Sequence, residues 1–173
     1  MVSEPTAQRH PALHDAASRG LAATPFGPVG LAWRGRCLTG VELAPAAAPD
    51  VMVPAWLRAE LDAYFADSSH RFGCTMAASG TPFQHRVWAL IAAIPAGQTR
   101  TYGKLAAALG SSARAVGGAC RANPLPLAVP CHRVVGSRGL GGFAGDTDGR
   151  LLAAKRWLLD HEGALPRAAG GRC

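Results

Sequence analysis

The chain has 173 residues, is 49% apolar and carries a formal net charge of +7, which excludes a globally disordered polypeptide and leaves room for one domain or two small ones. Its five cysteines, Cys37, Cys74, Cys120, Cys131 and Cys173, are odd in number and widely spaced, so neither a zinc-site spacing nor a disulfide scaffold is expected. The leading MVSEPTAQRHPALHDAASRG has no apolar h-region, and no apolar run approaches about 18 residues, so a reducing, cytoplasmic location is expected.

Residues 1–20 read as a loose tail. Val29–Arg34 and Cys37–Leu43, separated by Gly35, fit a short hairpin, and APAAAPD at 44–50 reads as a linker. Pro54 opens a helical pattern with Leu57, Leu61, Tyr64 and Phe65 on one face. Phe72, Cys74 and Met76 alternate as in a strand over 71–77, and Cys37 and Cys74 are expected to be core thiols. Residues 1–78 thus read as a small α/β unit. A boundary falls at Ala78-Ser-Gly-Thr-Pro82.

Beyond it, residues 79–173 read as mostly helical. Val87, Leu90, Ile91 and Ile94 recur at helix spacing until Pro95-Ala-Gly97 stops them. Thr101 caps a helix over Tyr102–Leu109, Gly110 ends it, and a second helix runs from Ala113 to about Ala122. This is a helix-turn-helix pattern, a weak signal when taken alone. The second helix holds adjacent glycines, which cost roughly 1 kcal/mol each relative to alanine. Either a packed neighbouring helix or a nucleic acid needs a bare surface there. A last helix spans Leu151–His161, and Glu162-Gly163 ends it.

Charge divides with the same boundary. Residues 1–78 hold six Arg against seven acids, a net of −1, while residues 79–173 hold twelve Lys/Arg against four acids, a net of +8. Such a field attracts a polyanion without reading its sequence, though a merely soluble basic surface looks the same.

The chemistry centres on Pro130-Cys131-His132-Arg133-Val134-Val135. A thiol needs a base to become a nucleophile at neutral pH, and His132 adjoins it. Glu162 is the preferred carboxylate to fix the imidazole tautomer, with Asp160 the weaker choice. The same three groups suit a cysteine hydrolase or alkyl transfer to sulfur. The basic half and the glycine-rich helix favour a substrate carried on a duplex.

These residues resemble the O6-alkylguanine-DNA alkyltransferases (methylated-DNA–protein-cysteine methyltransferases) in their compact bacterial form. The resemblance covers residues 80–163. It rests on Gly80-Thr-Pro-Phe-Gln84, Ile94-Pro-Ala-Gly97, Thr101-Tyr-Gly-Lys-Leu-Ala106, Ala113-Arg-Ala-Val-Gly-Gly-Ala119, Asn123-Pro124, Pro130-Cys-His-Arg-Val-Val135, Gly142-Phe143, Lys155-Arg-Trp-Leu-Leu159 and His161-Glu-Gly163. It implies a ribonuclease-H-like amino-terminal domain, a small antiparallel sheet with a helix. A helical domain with a winged helix-turn-helix-like element would follow it.

It further implies single-turnover repair of double-stranded DNA, with the alkyl group of O6-methylguanine, and also of O4-methylthymine, moved irreversibly to Cys131 after nucleotide flipping. His132 would act as the water-mediated base oriented by Glu162, Tyr102 would donate a proton to the leaving guanine, and Asn123 would brace the active-site turn. Arg114 would fill the place of the flipped nucleotide while Ala115, Gly118 and Ala119 let the helix approach. Val134, Gly142, Phe143 and Gly145 would line the base pocket. No cofactor, metal, membrane or obligate protein partner is implied, and the chain is expected to act as a monomer. Phe143 stands where many relatives have tyrosine, and the segment between Gly145 and Lys155 is a few residues longer than usual. A binding-only relative would lack the cysteine present here as Cys131.

Overall fold

The computed structural model describes residues 17–45, 51–144 and 149–165. A four-stranded sheet comes first, in the order β1-β2-β3-β4: β1 (Ser18–Ala22), β2 (Val29–Arg34), β3 (Cys37–Leu43) and β4 (Thr75–Met76). Helix α1 (Ala55–Ala66) lies between β3 and β4 in the chain. The hairpin expected around Gly35 is present, with Arg34 opposite Cys37 across a two-residue turn. Val29, Leu31 and Trp33 of β2 face the core, as a period of two requires. Leu57, Leu61 and Tyr64 form the buried stripe of α1.

Three expectations are corrected here. Residues 18–20 belong to β1 and pair with β2 instead of forming a tail. Ser-Arg-Gly-Leu-Ala shows neither alternation nor β-branching, and it is the neighbouring strand that makes it extended. Gly20 also bridges to Val51, where a Cβ would come within 2.6 Å of the Val51 carbonyl oxygen. Second, the sheet is mixed and not antiparallel, because β4 runs parallel to β3 with Thr75 opposite Cys37. A helical crossover such as α1 returns the chain in the same direction. Third, Cys37 and Cys74 are half-buried and not core thiols, since only Thr75 and Met76 of the 71–77 stretch form strand.

The second half opens on α2 (Pro82–Ala92), where Thr81 and Gln84 form a capping box and Pro82 takes the first turn. The short strand β5 (Arg100–Thr101) leads directly into α3 (Tyr102–Leu109), capped by the Thr101 side chain and ended by Gly110 at φ 60°. After Gly110-Ser-Ser112 the chain enters α4 (Ala113–Arg121), capped by Ser112. A 3₁₀ turn over Cys131–Arg133 precedes β6 (Val134–Val135), which pairs in parallel with β5. Helix α5 (Gly149–His161) starts two residues before the predicted Leu151.

The two halves share one cluster of buried side chains. Val41 of β3 donates its N–H to the Pro124 carbonyl at 2.8 Å, and the Tyr64 hydroxyl of α1 reaches Glu162 just past α5. No helix among the described residues is long and apolar enough to cross a membrane.

Candidate active site

Pro130 enters the 3₁₀ turn that presents Cys131, His132 and Arg133, all three buried. Two connections fix this turn. Asn123 Nδ2 donates to the Val129 carbonyl at 2.8 Å, while its Oδ1 accepts the Leu125 N–H at 3.0 Å. One side chain therefore staples both ends of the 125–129 loop between α4 and the thiol. On the other side, the β5–β6 pairing sets Arg100 opposite Val134 and Thr101 opposite Val135, so Tyr102 follows directly on the strand paired with the residues after the turn.

Glu162 is the hub. Its Oε1 accepts from His132 Nε2, from Arg133 Nη2 and from the Tyr64 hydroxyl, each at 2.8 Å, and its Oε2 accepts from Arg133 Nε at 2.9 Å. The guanidinium engages the carboxylate as a two-point fork and also donates to the Ile94 carbonyl. Burial alone would raise the Glu162 pKa, but the hydrogen bonds from His132 and Arg133 and their charges outweigh it and hold it at about 2. Burial pushes His132 below its ordinary value, against the opposing pull of Glu162.

The carboxylate partner sets the tautomer. A carboxylate only accepts, so His132 Nε2 carries the hydrogen and Nδ1 of the neutral ring carries the lone pair. Nδ1 is buried and has no hydrogen-bond partner among the described residues. A buried basic nitrogen, oriented from behind by a carboxylate and adjacent in sequence to a thiol, is the arrangement of a general base. Asp160, the alternative orienter, is exposed; Glu162 holds that place.

Burial raises the Cys131 thiol, while the Asn123 side chain and the nearby Lys155 charge pull it down. Lys155 is a residue that sequence reasoning left without a role. It is fully buried on α5, and its ammonium donates to the carbonyls of Val134 (2.6 Å), Leu140 (2.6 Å) and Gly142 (3.0 Å). Its Nζ lies 5.8 Å from the Tyr102 ring centroid and 6.0 Å from that of Phe143. Burial lowers its pKa to about 8, with the Cys131 and Cys120 thiols opposing that shift. The signal was available: Lys155 stands four residues after Leu151 and four before Leu159, a helical spacing that turns inward. Arg133 and Tyr64 were also left without site roles, the first inside a quoted motif and the second as one apolar-face aromatic among several.

Of the predicted pocket residues, Val134, Gly142 and Phe143 lie among the described residues. Val134 and Phe143 are buried, and the Phe143 ring meets His132 edge-on at 6.5 Å. The Tyr102 hydroxyl donates to the Gly142 carbonyl at 3.0 Å, and burial, then the Cys120 and Cys131 thiols, raise its pKa. It therefore stays protonated. Gly145 and Cys173 lie outside the described residues.

Helix α4 separates into two faces. Arg114, Gly118 and Arg121 are exposed, and Ala115 is partly so. Ala119 departs from its expected outward position: it is buried, and its carbonyl accepts the Trp88 indole N–H at 2.8 Å. A Cβ added at Gly117 or Gly118 would meet nothing within 4 Å. Packing against another helix among the described residues does not explain these glycines.

Residues 82–164 match the family model described as 6-O-methylguanine DNA methyltransferase, DNA binding domain. The chain is 53% identical over 92 residues to the methylated-DNA–protein-cysteine methyltransferase of Salmonella typhimurium, covering 51% of each, so it spans about half the length of that curated relative. Against the methylated-DNA–protein-cysteine methyltransferase of Mycobacterium leprae it is 39% identical over 140 residues, 74% of this chain and 84% of the relative. Its fold is similar to the crystal structure of Mycobacterium tuberculosis OGT in complex with DNA, with a TM-score of 0.71, 37% identity and coverage of 84% of this chain and 92% of that one. With Cys131, His132 and Glu162 inside the matched stretch, the chain belongs to the methylated-DNA–protein-cysteine methyltransferase family.

Proposed function

We propose that this chain repairs double-stranded DNA by moving the methyl group of O6-methylguanine, and of O4-methylthymine, to Cys131, irreversibly and once per molecule. The observation that carries the reading is the buried Nδ1 of His132, without a partner among the described residues, on a ring held from behind by Glu162 and next in sequence to Cys131. In this reading a water relays the Cys131 proton to that nitrogen. The thiolate sulfur attacks the methyl carbon, the carbon–oxygen bond breaks, and its electron pair passes to the purine. Tyr102 donates a proton to the departing base and is reprotonated through solvent by the proton that His132 received, so the net exchange is one proton from Cys131 to the released base. Lys155 steadies the thiolate by its charge and the pocket wall by its three carbonyl bonds. The thioether that forms has no activated leaving group and does not revert.

The helix pair α3–α4 acts as the winged helix-turn-helix-like element of a DNA-binding domain at 79–173, following a ribonuclease-H-like domain at 1–78. Arg114 fills the stack left by the flipped nucleotide, and Ala115 and Gly118 let α4 lie close to the minor groove. Asn123 braces the turn, and Val134, Gly142 and Phe143 line the base pocket. The protein works as a cytoplasmic monomer, with no cofactor.

Mixing the protein with duplex DNA containing O6-methylguanine tests the proposal. One CH2 equivalent of added mass on Cys131, in one-to-one stoichiometry, is expected. Repeated turnover, or an unmodified Cys131 after the lesion is consumed, would point to a hydrolase and end this reading. Cys131→Ser should bind the DNA and leave the lesion intact.

A further inference from the structure

Three donors converge on one oxygen of Glu162, and one of them comes from outside the stretch that matches the family model. His132 and Arg133 lie within residues 82–164, whereas Tyr64 belongs to α1 of the amino-terminal half. Its hydroxyl donates to Oε1 at 2.8 Å, the same length as the His132 bond to the same atom. We infer that Tyr64 is a positioning residue of the acceptor relay, through which the amino-terminal half sets the basicity of His132. This inference rests on the proposed role of His132 as the base.

A carboxylate oxygen shares its charge among the donors it accepts from. Arg133 brings a positive charge that also opposes protonation of His132, whereas Tyr64 draws charge from Oε1 without adding any. The less charge Oε1 keeps for His132 Nε2, the less tightly the imidazole holds a second proton. Burial, then Glu162, push the Tyr64 hydroxyl well above its ordinary pKa, so it donates across the whole working pH range.

The placement of Tyr64 is built and not incidental. The residue is 1% exposed, its ring packs edge-on against Phe65 and His161, and its backbone carbonyl lies 3.1 Å from His161 Nε2. The groups facing His132 are Glu162, Arg133 and Lys155, with the Phe143 ring on its edge and the Cys131 thiol beside it in the chain. Those facing Glu162 are His132, Arg133 and Tyr64. Only the last can be altered with the relay's own residues unchanged.

Two substitutions in the full chain move the donor in opposite senses. Tyr64→Phe removes the hydroxyl and keeps the ring, so the His132 titration midpoint, read by NMR of the imidazole in DNA-free protein, should move up by about half a pH unit or more. The acid limb of single-turnover methyl transfer should move up with it. Replacing Tyr64 by 3-fluorotyrosine strengthens the donor, and both readouts should move down. A purely structural role would change the melting temperature without reversing sign between the two. Unchanged His132 midpoints in both proteins overturn the inference. If wild-type protein leaves Cys131 unmethylated, the proposed function fails, while the midpoints still decide whether Tyr64 tunes His132.

Discussion

Lys155 and Tyr102 share a single acceptor, the carbonyl oxygen of Gly142, each donating to it at 3.0 Å. The ammonium of α5 thus anchors the backbone that the Tyr102 hydroxyl rests on, and it does so with no carboxylate partner among the bonds it makes. Burying such a charge is unfavourable unless its hydrogens are satisfied, and three carbonyls satisfy them. Lys155→Met should therefore release the Val134–Gly142 wall and remove a cation that lowers the thiol's pKa. With only the Asn123 and backbone hydrogen bonds left to oppose burial, alkylation of Cys131 by iodoacetamide at neutral pH should slow. Its pH profile should shift upward. An unshifted profile in folded Lys155→Met would show that the charge does not reach the sulfur.

Glu162 gives the fold an acid-sensitive point. Its carboxyl is held at about 2 in the folded chain against 4.5 in an unfolded one. Because the folded value is depressed, the group's contribution is present above about pH 4.5 and is lost as pH falls toward 2. That contribution is on the order of 3 kcal/mol. Urea titrations between pH 5 and about pH 2.5 should show a stability loss that Glu162→Gln lacks. The variant should be less stable at neutral pH by roughly 3 kcal/mol or more, since Arg133 is left as a buried charge without its partner.

The glycines of α4 separate stability from function. A Cβ at Gly118 meets open space, and its φ is not in the left-handed region. Helix propensity therefore makes Gly118→Leu stabilising by roughly 0.5–1 kcal/mol. The same side chain would stand on the exposed face that carries Arg114 and Arg121. A higher melting temperature together with weaker duplex binding is expected, measured by thermal melts and fluorescence anisotropy. Undiminished binding would remove the case for a bare helix against DNA.

Local signals made the carboxy-terminal half legible. Thr81, Thr101 and Ser112 each cap their helix through the side chain, Gly110 ends one in the left-handed region, and the predicted helices stand within a few residues of their observed bounds. The pairing of His132 with Glu162 was read from residue type and order, thirty positions apart. What escaped depended on tertiary partners. β1 has no pattern of its own, the direction of β4 follows from a crossover, and the Tyr64 hydroxyl finds Glu162 across 98 positions. Lys155 was missed because a lysine amid apolar residues is ordinarily solvated, and its three acceptors are backbone atoms that no sequence pattern displays.

Arg114 distinguishes reading a duplex from reacting with a base. Its side chain is exposed at the start of α4, seven residues before Arg121, so both guanidiniums project from one helical face. Neither touches the Cys131 relay. Arg114→Ala should leave methyl transfer from free O6-methylguanine base within about twofold of wild type, because the pocket and the relay are unaltered, and slow transfer from duplex DNA by about tenfold or more. Arg121→Ala should weaken duplex binding evenly across sequences and reduce its salt dependence by about one counterion, as loss of a phosphate contact does. Equal losses on free base and duplex for Arg114→Ala would mean that the residue supports the fold of α4 and not the extrusion of a nucleotide. Single-turnover rates on the two substrates, measured at one salt concentration, decide between them.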